Sequence, residues 1–448
     1  MIVPAPVSSE SLSGRGAPRE SVVTHHTDGA LAPQAYRLEV RDGAVLATSS
    51  SPDGAAYAET TWRHLAAAAQ GSEVAAVLIE DAPRFAYRGA MLDVARHFFS
   101  VADVCAYIED LAELKINYLH LHLTDDQGWR LEIPSWPELT RAGAATQVGG
   151  GPGGFYTAAE FTEIVDFASA RGITVVPEID LPGHTNAALV SYPELADDGV
   201  DLAPYEGIEV GFSSLAIGKE VSYTFVADVL NHVASLTPGP YLHIGGDECL
   251  KTEEQDYLAF IARATAIAAS TGKTVIGWHE MGRSGDLPAG TIGQYWNLTT
   301  PEESHGEHLR AFVDQGGKAI LSPADVAYLD QKYDEHTDLG LTWSGPTSLP
   351  KAFGWEPTRV IPGLGEADIL GLEAPMFTET VTTLEELRRM ALPRLAAFAE
   401  IAWSPKPADG QDRDFDEFAG RLAELGRDWR SRGIVFEPVP QVAWEAQG

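Results

Sequence analysis

From Arg88 onward the chain alternates short apolar runs with amphipathic stretches, and this rhythm restricts the fold more than any other feature. The runs read GAMLDVA, YLHLHLT, TVVPEID, YLHIGGD, TVIGWHE, TIGQYW, AILSPAD and ILGLEAPMF, and most lack polar alternation. Strands covered on one face alternate, whereas parallel strands buried on both faces do not. Four intervening stretches open on a hydroxyl residue three positions before a carboxyl or amide residue: Ser100 with Asp103, Thr157 with Glu160, Thr252 with Gln255 and Thr383 with Glu386. That is the capping-box spacing, and it predicts four helix starts. Behind the first, Val101, Val104, Cys105, Ile108 and Leu111 share one helical face. Behind the second, Phe161, Ile164, Val165 and Ala168 do the same, with Gly172 as a stop. Eight strands with helices between them predict an α/β fold closed as a (β/α)8 TIM barrel over residues 87–448. An open doubly wound sheet is the alternative, but no G-x-G-x-x-G follows the first strand, which argues against a nucleotide cofactor.

Residues 31–86 read as a small α/β domain: strand YRLEV, a turn at Asp42-Gly43, strand AVLATSS, helix AAYAETTWRHLAAAA and strand EVAAVLIED. Residues 1–30, rich in Ser, Pro and Gly without periodicity, are expected to form a disordered N-terminal tail. The 65 acidic residues outnumber 31 basic ones, and the formal charge of -34 repels nucleic acid and anionic membrane, which leaves neutral or cationic ligands as partners. No stretch of 18 apolar residues predicts a membrane span, and the start MIVPAPVSSESLSGRG lacks the cationic end and apolar core of a secretory signal. A cytoplasmic or already trimmed protein is expected. Cys105 and Cys249 are too few for a disulfide framework and wrongly spaced for zinc, so both read as buried small hydrophobes.

In a barrel, residues just past the strands share one mouth. Here the strand ends deliver Asp93, Arg96 and His97, then Asp125, Asp126 and Trp129, then Glu178, Asp180 and His184, then Asp247 and Glu248. Later ends supply Trp278, Trp296, Tyr328, Asp330, Phe377 and Glu379, with Trp343 in the loop after the seventh strand. Carboxylates, an arginine and several indoles suit a sugar, whose C–H faces meet aromatic rings while its hydroxyls meet charged donors and acceptors. The adjacent pair Asp247-Glu248, after an apolar strand and two glycines, is the strongest pointer to catalysis. His120 and His122 share one side of a strand, a pattern that fits a metal site, but they precede the strand end and read as hydrogen-bonded core.

The segments IEDAPRFAYRGAMLDVARHFF, LHLHLTDDQGWRLEI, VVPEIDLPGHTNAAL, YLHIGGDE and GLEAPMFTET together resemble, in order and spacing, the β-N-acetylhexosaminidases of glycoside hydrolase family 20. The resemblance runs from about Tyr36 to the end and implies a small α/β domain before a (β/α)8 barrel. It implies a retaining exo-enzyme that removes terminal N-acetylglucosamine or N-acetylgalactosamine from chitin fragments or glycans, with no cofactor and no metal. It implies substrate assistance, in which the 2-acetamido oxygen attacks the anomeric carbon and forms an oxazolinium. By the same resemblance Glu248 is the general acid/base, and an adjacent Asp247 carboxylate and apolar indole walls disfavour a second negative charge there, as a proton donor requires. Asp247 orients the acetamido N–H, Tyr328 donates to the acetamido oxygen, and Asp125 with His184 forms a relay to Glu248. Arg96, Asp330 and Glu379 bind sugar hydroxyls, Trp278 and Trp296 wall the acetamido group, and Trp343 meets the leaving group.

Two features depart from the family pattern. Phe377 stands where the family carries Trp, which reduces ring contact, and the preceding domain reads as shortened. Two rival readings follow from the residues: a metal-dependent barrel hydrolase built on His120, His122, His184, His243 and His279, and a sugar-binding homologue weakened in catalysis through Phe377.

Overall fold

The computed structural model describes residues 2–69, 71–200, 202–408 and 411–444. All eight apolar runs form parallel strands that close in chain order: Tyr87–Asp93, Tyr118–His122, Thr174–Glu178, Tyr241–His243, Thr274–Trp278, Ile292–Tyr295, Ala319–Leu321 and Ile369–Met376. The last strand pairs with the first from Gly371 opposite Tyr87 to Met376 opposite Leu92, which closes the barrel. Inside, Tyr87, Val176, Ile276, Ile292 and Ile320 form an apolar layer. Two residues further along the same strands, Glu178, Trp278 and Gln294 face inward with a strand's period of two, so the interior turns polar towards the carboxyl ends.

The helices bury the faces their spacing predicts. Ser100, Thr157 and Thr383 each accept from the residue three ahead, whose carboxylate answers the cap. Thr252 does not cap: its hydroxyl pairs with Ser214 at 2.9 Å, and helix Glu254–Ser270 begins behind Glu253 with no side-chain cap. That hydroxyl is spent on a neighbouring loop, a long-range choice that local spacing does not encode. Among the described residues no helix is long and apolar enough to cross a membrane.

Residues 2–30 correct the expectation of a disordered tail, Met1 lying outside the described residues. Ser8–Ser11 and Val23–Thr27 are the two edges of a five-stranded sheet whose order runs Ser8–Ser11, Val77–Asp81, Tyr36–Arg41, Ala44–Ser49, Val23–Thr27. A further bridge joins Ala17-Pro18 to Glu73-Val74, and Val3 is buried in the barrel's own core. The edge strands expose nearly all their side chains and hold on through backbone pairing, so they carry no apolar period to read. The preceding domain is accordingly longer than the sequence pattern indicated.

The two domains meet over buried polar groups. Asp81 accepts from Lys115 Nζ at 2.9 Å, from Tyr36 Oη at 2.6 Å and from Trp403 Nε1 at 2.9 Å. Arg88 of the barrel donates to Tyr57 Oη and Gln34 Oε1 of the sheet domain, each at 2.9 Å.

Candidate active site

The carboxyl ends of the barrel strands open into a cavity of about 350 Å³. All twelve residues expected at the site line it: Asp125, His184, Asp247, Glu248 and Tyr328, together with Arg96, Trp278, Trp296, Asp330, Trp343, Phe377 and Glu379.

The acid pair is placed by the turn before it. After His243 the chain passes through Gly245 and Gly246 at φ +67° and +102°. A Cβ on Gly245 would fall 1.7 Å from Asp180 Oδ1, and one on Gly246 would fall 2.5 Å from Met281 Cγ. Gly246 N–H donates to Asp180 Oδ1 at 3.2 Å and Tyr257 Oη donates to Gly246 O at 2.6 Å, which pins the turn from two sides. Glu248 and His184 both hold left-handed backbone, at φ +44° and +53°, the kind of strain that clusters at functional sites.

Asp247 lies deeper than Glu248, with side chains 15% and 30% exposed. Burial pushes the Asp247 carboxyl up to about 6, with His184 pulling it down and Glu248 pushing it up. Its Oδ1 is buried and without a hydrogen-bond partner among the described residues. Behind the pair, His184 Nε2 stands 3.4 Å from Glu248 Oε2 and 3.8 Å from Asp247 Oδ2, while its Nδ1 faces Asp125 Oδ1 at 3.2 Å. Burial opposes charge on the His184 ring, but Asp125 and then Asp180 outweigh it and hold the ring cationic. Burial likewise opposes charge on Asp125, yet Arg96 and His184 hold that carboxyl well below the usual range.

Away from the acid pair, Arg96 bonds Asp125 at 2.9 Å and Asp93 at 3.4 Å, and its guanidinium lies 5.2 Å from the centre of the Phe377 ring. Arg96 Nε and Glu379 Oε2 are buried without partners among the described residues. Burial, then Glu379, pushes Asp330 up to about 8. Burial and Asp330 also push the Tyr328 phenol far up, so it remains a donor. Trp278 Nε1 donates to Glu178 at 3.0 Å and Trp296 Nε1 to Glu280 at 2.9 Å. Trp343 is 53% exposed and meets Trp296 and Tyr328 edge-on, with centroids 5.9 and 5.7 Å apart.

Irregular loops carry most of these residues, and two buried arginines hold the loops. Arg130 donates to the carbonyls of Val94, Ala95, Ala144, Thr146 and Gly154, beside the segments bearing Arg96 and Asp125. Arg394 donates to those of Leu329, Gln331, Thr347 and Met390, bracing the segment with Tyr328 and Asp330.

The sequence reading missed Ile208, Val210 and Leu341, which line the cavity from loops without periodicity, and Glu280, which lies just past the fifth strand where the strand-end rule could have found it. Asp180, noted at a strand end but given no role, proves to anchor the turn. Several groups could hold a cation by distance: His120, Glu178 and His243, or His122, Glu178 and Asp180, have ligand atoms within 4.8 Å of one another. The nitrogens of His120 already face Glu373 at 2.8 Å and Glu178 at 3.0 Å. His279 packs among Tyr295, Trp296 and His305 and belongs to none of these groups among the described residues.

Acids able to move a proton, set beside aromatic walls at the mouth of such a barrel, suit cleavage of a glycosidic bond. Comparison with known proteins narrows the class. The model of the glycosyl hydrolase family 20 catalytic domain matches residues 85–406, and that of domain 2 of the same family matches residues 5–82. A β-N-acetylhexosaminidase of Cellulomonas fimi is 46% identical over 93% of this chain and 82% of its own. A solved glycoside hydrolase family 20 β-N-acetylglucosaminidase superposes with a TM-score of 0.93 at 45% identity, covering 99% of both chains. A mutant Streptomyces plicatus β-hexosaminidase in complex with product GlcNAc also gives 0.93, at 40% identity over 99% of this chain and 97% of that one. The chain belongs to glycoside hydrolase family 20, the β-N-acetylhexosaminidases.

Proposed function

We propose that the protein is a retaining exo-enzyme that removes terminal β-linked N-acetylhexosamine from oligosaccharides by substrate-assisted catalysis. One observation carries the reading: Asp247 Oδ1 is a buried acceptor without a partner among the described residues, inside a cavity walled by Trp278, Trp296 and Tyr328. A buried acceptor left unmade is costly, and an acetamido N–H would satisfy it while the rings pack the methyl group. With that N–H held by Asp247 and the carbonyl by the Tyr328 hydroxyl, the acetamido oxygen attacks the anomeric carbon. Glu248, the more exposed acid, gives its proton to the departing oxygen and later removes one from water. Positive charge develops on the acetamido nitrogen as the ring closes, so the Asp247 contact strengthens towards the transition state. Arg96, Asp330 and Glu379 supply donors and acceptors for the hydroxyls of a terminal sugar. The S. plicatus relative binds GlcNAc as product, which supports the same sugar here.

A panel of aryl glycosides, with the first-formed anomer followed by NMR, tests the proposal. The β-anomer of N-acetylglucosamine is expected, with β-glucosides lacking the acetamide nearly inert and a stable thiazoline inhibiting. An inverted anomer, or a sugar covalently trapped on a side chain, would overturn it.

A further inference from the structure

At the cavity floor, His122 lies between two carboxylates that the mechanism above leaves unused or only partly used. Its Nδ1 stands 2.5 Å from Glu178 Oε2 and its Nε2 stands 2.9 Å from Asp125 Oδ2. A carboxylate accepts only, so both nitrogens must carry hydrogen for both contacts to form, and the ring is an imidazolium. Burial opposes that charge, but Glu178 and Asp125 outweigh it and hold the ring's pKa well above the ordinary histidine value. Glu178 itself is fully buried on the third barrel strand and also accepts from Trp278 Nε1, the indole that lines the cavity.

We infer that His122 and Glu178 form a positioning clamp for the acid/base: the imidazolium, fixed from below by Glu178, holds the Asp125 carboxylate so that Asp125 in turn orients His184 against Glu248. The inference rests on the reading of Glu248 as acid/base. The geometry supports it at each link. Asp125 Oδ2 takes His122 and Arg96, each at 2.9 Å, which leaves Oδ1 for His184 Nδ1 at 3.2 Å and for the backbone N–H of Asp126 at 2.5 Å. Every lone-pair direction of Asp125 thus has a set donor, and the carboxylate has one rotamer. Removing the lower donor leaves Oδ2 to Arg96 alone and loosens that orientation. His184 then loses its anchor, and Glu248 loses the cation 3.4 Å from its Oε2. A residue acting this way affects proton donation to the leaving oxygen more than sugar binding.

The test compares His122→Gln and the isosteric Glu178→Gln with the wild type and with Glu248→Gln. The readouts are kcat/KM on N-acetyl-β-glucosaminides of dinitrophenol, which departs without a proton, and of methoxyphenol, which needs one, together with inhibition by N-acetylglucosamine. Both clamp variants are expected to stay within about threefold of wild type on the dinitrophenyl substrate and in product inhibition, and to lose about thirtyfold or more on the methoxyphenyl substrate, within the range attributed to general acid catalysis. Equal losses on both substrates, or no loss on either, would overturn the clamp. If Glu248→Gln itself shows no selective loss on methoxyphenol, the acid/base reading fails instead, and the two failures are told apart by that control. Should His122→Gln fail to fold, Glu178→Gln still decides, because its amide oxygen can keep the Trp278 bond while the charge that holds His122 is gone.

Discussion

Lys115 Nζ sits 2.9 Å from Asp81 Oδ2 with both side chains fully shut from solvent, and this ion pair joins the barrel to the preceding sheet. Removing one partner of such a pair strands the other charge in the interior. Lys115→Met is expected to cost about 3–5 kcal/mol of stability, read by urea denaturation. Adding Asp81→Asn should recover part of that loss, and a single variant as stable as the wild type would show that the joint is held elsewhere.

In the proposed mechanism the Asp247 carboxyl, pushed up to about 6, should set an acid limb on activity. Below that pH it carries a proton and would no longer present a full negative charge to the acetamido N–H it is proposed to hold. As pH falls below about 6, kcat/KM should drop about tenfold per unit, because this parameter reports the free enzyme. Asp247→Asn should remove the limb and lower the plateau about a hundredfold or more. A limb that survives in Asp247→Asn would assign it to another group.

If Asp330 binds a sugar hydroxyl as proposed, it should trade stability for binding. Its carboxyl is raised to about 8 by burial and by Glu379, against about 3.9 in an unfolded chain. Between those values the folded chain keeps a proton that the unfolded chain has released, so stability falls as pH rises through the window. Asp330→Asn never ionises. Its melting temperature relative to wild type should therefore be higher at pH 8 than at pH 5, while kcat/KM measured at about pH 9, where the wild-type carboxyl is ionised, should fall about tenfold or more if that carboxylate binds a sugar hydroxyl as proposed.

Phe377 stacks near Arg96, with Tyr328 5.5 Å away by ring centroids. Phe377→Trp supplies the larger ring face that the family resemblance implies and should raise kcat/KM about fivefold, equivalent to about 1 kcal/mol of aromatic contact. An unchanged or lower value would count against a ring-contact role.

Exhaustive EDTA treatment should leave turnover intact. In the rival built on His120, His122, His184, His243 and His279, activity would vanish and return only with added zinc. Two of those rings, His120 and His122, have both nitrogens opposite carboxylates, which favours the metal-independent outcome.

The barrel was readable because two-sided burial leaves unbroken apolar runs: every residue of Tyr87–Asp93 is buried, and nothing interrupts that segment. Barrel closure explains why strand-end residues gather at one mouth, but the twelve expected site residues that line the cavity are picked from that larger set by the family resemblance. Ser8–Ser11 was not readable, since an exposed edge strand is selected by backbone pairing with Val77–Asp81. Arg130 and Arg394 were not either: a buried cation whose partners are loop carbonyls leaves no period and no charge pair to recognise.

Those two arginines have a consequence for how a sugar arrives. Their donors are spent on main-chain oxygens of the same loops that carry Arg96, Asp125, Tyr328 and Asp330. The receptor is thereby assembled before its guest comes in, and entry demands little freezing of backbone freedom. An outward tip such as the half-exposed Trp343 can then change without loosening that frame.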